Sequence, residues 1–212
     1  MLFVSFGHFI ASSTYYAMGR TAPPDSYHQA RLISAIIVEA GALAVLWYVL
    51  WGQGRSWTNI GWNLKWTDVP LSVGLVFGAI FATYVTVMPL QVFYRAYSGH
   101  YLAPKSMHGL LGFGISALSF AFVCLNPFFE ELIVRGYLMT EILDLGGKGV
   151  LAILISVAVQ MSYHLYQGFL NCISLATIFT VFSIYFWRSR RIAPLVLAHL
   201  CIDVYALMRA SV

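Results

Sequence analysis

The stretch NPFFEELIVRGYL, residues 126–138, sets two adjacent glutamates and an arginine among Phe, Leu, Ile and Val. The rest of the chain makes those charges conspicuous. Of 212 residues, 60% are hydrophobic and 9% charged, and two of only eight acidic side chains stand together here. Soluble globular chains carry about a quarter charged residues, and a mean hydropathy of +0.77 lies far from that class.

Working outward, apolar runs recur at about 1–18, 32–51, 69–90, 108–129, 149–167, 169–187 and 192–210. Each is long enough to cross a hydrocarbon core about 30 Å thick. In lipid such a chain must satisfy its own backbone, so the fold class is all-α, a polytopic transmembrane bundle of about seven helices. Residues 1–212 read as a single transmembrane domain, which makes the protein integral and multi-pass in the bilayer. The first run has no basic n-region and no clear small-residue cleavage site, and it reads as a retained helix rather than a signal peptide. Cys124, Cys172 and Cys201 all fall inside apolar runs, with spacings of neither a disulfide framework nor a zinc knuckle.

The formal charge of +4 calls for no nucleic-acid partner, because cationic loop ends account for it. With seven alternating spans, Arg55, Lys65, Arg135, Lys148, Arg188, Arg190 and Arg191 fall on one side. Arg20, Arg31, Arg95, Lys105 and Arg209 fall on the other. The larger set, with the N-terminus, is then cytoplasmic. WGQGRSWTNIGWNLKWTD (51–68) reads as an interfacial elbow with aromatic anchors, and DLGGKG (144–149) as a flexible turn.

Ionisable residues within spans cost about 2.5–3.5 kcal/mol each on insertion scales and usually face a partner or a cavity. The candidates are Glu39, Glu130, Glu131, Arg135, His164, His199 and Asp203. In an α-helix Glu131 and Arg135 share a face at i,i+4, acid before base, while Glu130 points about 100° away from Glu131. One carboxylate is thus neutralised and the other is available. His199 and Asp203 are also i,i+4, and Gln160 shares a face with His164, where it could fix the ring. A free glutamate with two histidines is a residue set for activating water. It is equally His₂Glu, a zinc-ligand set, so zinc held by Glu130, His164 and His199 stays open at this point. Glu39, isolated in IIVEAGA, reads as structural or cavity-facing. His8, His28, His100 and His108, near segment ends, read as solvated or interfacial.

EELIVRG (130–136) carries an EExxxR pattern, HLCID (199–203) an HxxxN/D pattern, and QMSYH (160–164) an FxxxH pattern with Gln160 in place of Phe. In this order the three resemble the motifs of the CPBP intramembrane proteases, the CAAX-prenyl-protease and bacteriocin-processing family. The resemblance covers roughly residues 108–210, which it marks as the catalytic core. It implies a glutamate-type endopeptidase with no cofactor required. Glu130 would be the general base, His164 would position water, and His199 and Asp203 would face the scissile carbonyl. Glu131, Arg135 and Gln160 would support the site. The implied partners are the lipid bilayer and a peptide or protein substrate, lipidated and CAAX-type or otherwise a sorting tail or peptide precursor. The small chain resembles a prokaryotic cell-membrane member. Asp203 stands where Asn is common, and an ionised carboxylate only accepts hydrogen bonds. Asp203 must then orient His199 or carry a proton itself.

Convergence of these groups requires the fourth helix to run past Phe129 towards Ile142, with Asn126–Pro127 supplying a kink. Two other function classes remain at this stage: a non-proteolytic scaffold or immunity protein on the same fold, and a Glu/His proton-coupled transporter.

Overall fold

The computed structural model of the chain describes residues 2–18, 28–103 and 115–210. Among them regular structure is helical throughout. The seven helices are α1 (Leu2–Ala17), α2 (His28–Gly52), α3 (Asp68–Ser98), α4 (Ala117–Asp144), α5 (Gly149–Ser162), α6 (Phe169–Ser189) and α7 (Ala193–Ala210). A helix forms at each of the seven apolar runs, in agreement with an all-α bundle. Four of them, α3, α4, α6 and α2 from Leu32, are long and apolar enough to cross a membrane. His108, Arg20, Lys105 and the start of the fourth apolar run lie outside the described residues.

The fourth helix starts and ends later than its apolar run. Ser116 opens it with a capping box: its Oγ accepts from Ser119 N at 3.0 Å, and Ser119 Oγ accepts from Ser116 N at 2.8 Å. Pro127 lies inside the helix and offers no backbone N–H. From Glu131 to Met139 the winding is π, and it returns to α at Thr140–Asp144. The motif EELIVRG is therefore not the regular α-helix that its spacing suggests. Such a wide stretch inside a helix re-aims the side chains it carries.

Helix α4 is the axis of the bundle. Its first half packs on α2 and α7 and its π stretch on α5 and α6, while α3 lies against α6 and α7. Half of its most apolar window is buried, against 28% or less for the other three long helices. Those helices turn apolar faces outward, among them Phe77, Ile80, Phe81, Tyr84 and Phe93 of α3. Lipid accommodates such faces, whereas water would not. Inside, Phe6 of α1 stacks on Tyr163 at 4.8 Å and meets Phe129 of α4 at 4.7 Å.

One end of the bundle is clamped by the segment between α2 and α3. A short 3₁₀ turn, Trp57–Ile60, lies on the π stretch, where a Cβ on Gly136 would come 3.1 Å from Ile60 O. Gly61, at φ 91, passes so close to the α6–α7 turn that a Cβ would sit 2.5 Å from Arg190 O. Its carbonyl accepts from Ile192 N at 2.9 Å. Arg55 pairs with Glu141 and, at 3.5 Å, with Asp144, and buried Asp68 pairs with Arg191. Arg135 is fully buried rather than at a loop. It leaves the cytoplasmic charge set, and the orientation count becomes nearly even.

Candidate active site

Depth decides whether the three motifs can meet. Fourteen residues separate Glu130 from the end of α4, and fifteen separate His164 from the start of α5. At 1.5 Å per residue, both lie roughly 20 Å from the turn joining α4 to α5. Helix α5 stops at Ser162, short of its apolar run, and His164 stands in the turn before the 3₁₀ segment Leu165–Gln167. Leaving the helix there swings the ring inward.

Around Glu130 and Glu131 the polar side chains form one connected network. Glu131 Oε1 accepts from Arg135 Nη1 at 3.3 Å and from His199 Nδ1 at 2.9 Å. The first contact is the i,i+4 pair that the spacing predicts, and it survives the π winding. The second crosses from α4 to α7 and has no trace in the local pattern. Arg135 Nη1 also donates to Gln160 Oε1 at 2.6 Å, and Gln160 Nε2 donates to Glu130 Oε2. Gln160 thus ties the guanidinium of one motif to its first glutamate.

This corrects two sequence expectations. Glu130 is not free of partners, because the Gln160 amide fixes one of its oxygens. Gln160 does not hold His164 through its side chain either; its backbone carbonyl accepts from His164 Nδ1 at 2.8 Å. That bond places the proton on Nδ1 and, in the neutral ring, leaves Nε2 as an acceptor.

His199 Nε2 lies 3.8 Å from Glu130 Oε2 and 3.5 Å from Asp203 Oδ1. Asp203 Oδ2 accepts from Asn126 Nδ2 at 3.3 Å. Glu130, His164, His199 and Asp203 line a single cavity of about 510 Å³, together with Asn126 and Glu39. Glu131, Arg135 and Gln160 are buried behind its wall. Phe179 of α6 spaces the two imidazoles, with ring centroids 5.8 Å from His164 and 5.4 Å from His199. The Arg135 guanidinium lies 4.5 Å over the same ring, a cation–π contact that offsets part of its burial.

Asn126 and Phe179 escaped the sequence reading as site residues. Asn126 was visible only as the residue before a proline, and Phe179 as one of many phenylalanines. Among the described residues, no three His, Cys, Asp or Glu side chains form a metal-ligand group. Glu130, His164 and His199, the His₂Glu set, line the same cavity.

The helical bundle thus encloses a cavity on which a glutamate, an aspartate and two histidines converge. Residues 112–205 match the family model described as type II CAAX prenyl endopeptidase Rce1-like. This match supports assigning the segment to the CPBP/CAAX intramembrane proteases, a peptidase family, and four helices of the chain are long and apolar enough to cross a membrane. No curated protein and no solved structure is matched by the chain.

Proposed function

We propose that the chain is a multi-pass endopeptidase of a prokaryotic cell membrane that hydrolyses a peptide bond by glutamate-activated water. The observation behind this reading is the gathering of Glu130 of α4, His164 of the turn after α5, and His199 and Asp203 of α7 on one cavity. Gln160 occupies Oε2 of Glu130, which leaves Oε1 for a water whose other contact is His164 Nε2. Glu130 takes a proton from that water as its oxygen adds to the scissile carbonyl carbon. When the C–N bond breaks, Glu130 returns the proton to the leaving amine. Protonated His199, its Nδ1 held by Glu131, donates from Nε2 to the developing oxyanion. Asp203 orients that ring, and Asn126 brings beside it the amide donor that an aspartate lacks. No step requires a metal.

The substrate class is a membrane-associated peptide or protein: a CAAX-type end, a C-terminal sorting tail or a peptide precursor. The cavity volume of about 510 Å³ lies within the range of roughly 300–1,000 Å³ usual for ligand sites and accommodates a few residues. The test is cleavage of a prenylated CAAX-type peptide by protein reconstituted in liposomes, with and without a chelator. Glu130→Gln is expected to lower the rate at least about a thousandfold, in keeping with losses at other essential catalytic groups, without loss of fold. The chelator is expected to have no effect. Peptide binding without cleavage by the wild type points to the scaffold, and proton-coupled flux without cleavage to the transporter.

A further inference from the structure

Helix α2 carries none of the three motifs, yet it delivers a carboxylate to the same cavity. Glu39 is 1% exposed and lines the cavity wall. Its Oε2 has no hydrogen-bond partner, and no ion pair involves it among the described residues. The other carboxylates there are provided for: Glu130 by Gln160 and His199, and Asp203 by Asn126 and His199. Arg135 is committed to Glu131 and Gln160. Arg209, which also lines the cavity, is exposed and makes no ion pair with Glu39.

A buried carboxylate without a partner is costly, and the cost falls when a donor enters with a ligand. A neutral donor would supply the hydrogen bond only. Glu130 and Asp203 line the same cavity, so a cation entering beside Glu39 has two further carboxyl groups facing it. We propose that Glu39 is a specificity site, pairing with a positively charged group of the substrate held in the cavity, a lysine or arginine side chain or a free amine. This rests on the peptidase reading above. It adds a preference that the three motifs do not contain.

The test uses full-length protein in liposomes and pairs of prenylated CAAX-type peptides that differ by Lys against norleucine at one position near the cleaved bond. At one such position the wild type is expected to favour Lys by about tenfold or more in kcat/KM, the scale of a hydrogen bond between charged groups. Glu39→Gln brings that ratio close to one, and Glu39→Lys favours a Glu-containing peptide instead. If Glu39→Gln does not fold, Glu39→Asp carries the test, with the same preference reduced. A Lys preference that persists in Glu39→Gln, or no preference at any position in the wild type, overturns the proposal. Should the wild type cleave nothing, the peptidase reading fails, and equilibrium binding of the same peptide pairs decides the inference. Tighter binding of the Lys peptide that disappears in Glu39→Gln upholds it, and equal binding overturns it.

Discussion

Replacing Gln160 by leucine removes the side chain that bonds both Arg135 and Glu130, at nearly constant volume. Two hydrogen bonds to charged groups disappear, one of them 2.6 Å long. In soluble proteins such bonds contribute about 1.5–3 kcal/mol each, while interhelical polar contacts in membranes average about 0.6 kcal/mol. The upper scale weighs more here, because Arg135 is fully buried and its Nε and Nη2 already lack partners. The expected loss of stability is about 2–4 kcal/mol. Glu130 also loses the donor that fixes its carboxylate plane, and a misplacement of about 1 Å can cost a hundredfold in rate. Thermal unfolding in detergent and steady-state cleavage of a CAAX-type peptide read the two effects separately. The expectation is a lower unfolding temperature, with kcat reduced about 10–100-fold and KM nearly constant. Gln160→Glu keeps an acceptor for Arg135 but sets a carboxylate against Glu130, so it retains more stability than activity. If Gln160→Leu unfolds at the wild-type temperature and keeps kcat within about twofold, the bridge has no energetic role and the reasoning is wrong.

Other perturbations probe separate parts of the network. Arg135→Met strips Glu131 of one of its two buried partners and leaves His199 as the other. Removing one member of a buried pair costs about 3–5 kcal/mol, so the variant should be lost from the folded fraction by size-exclusion chromatography. Asn126→Ala removes the donor to Asp203 and is expected to lower kcat about tenfold, the effect of one mid-strength hydrogen bond, with unfolding little changed. Gly61→Ala meets Arg190 O at 2.5 Å in a left-handed conformation. Strain of about 1–3 kcal/mol should lower the unfolding temperature while the surviving folded protein cleaves at the wild-type rate.

The parts of the site that were legible in the sequence are those set by spacing along one helix. Glu131 and Arg135 pair as their interval predicts, and His199 and Asp203 lie close at 3.5 Å across one helical turn. Contacts between helices were not legible, because nothing in HLCID specifies that the His199 ring meets Glu131 of α4. Gln160 shows the difference most clearly. Its face relation to His164 suggested a local contact, yet a long amide side chain reached across to α4, where two charges awaited a donor and an acceptor. The π stretch was also hidden, since hydrophobic patterning cannot distinguish one extra residue per turn when the whole segment is buried. Apolarity alone placed seven helices but set their ends poorly. Helix α4 ran on to Asp144 and α5 stopped at Ser162 because polar partners and turns, not hydropathy, fix those boundaries.

The central claim is that Glu130 and His199 act on opposite sides of the scissile carbonyl. A structure of the protein with a CAAX-type peptide bearing a phosphinate at the cleaved bond tests it directly, since the phosphinate mimics the tetrahedral intermediate. The account predicts one phosphinate oxygen within about 2.6–3.2 Å of the Glu130 carboxylate and the other at a similar distance from His199 Nε2. A peptide bound outside the cavity, or one whose phosphinate meets neither group, would contradict it.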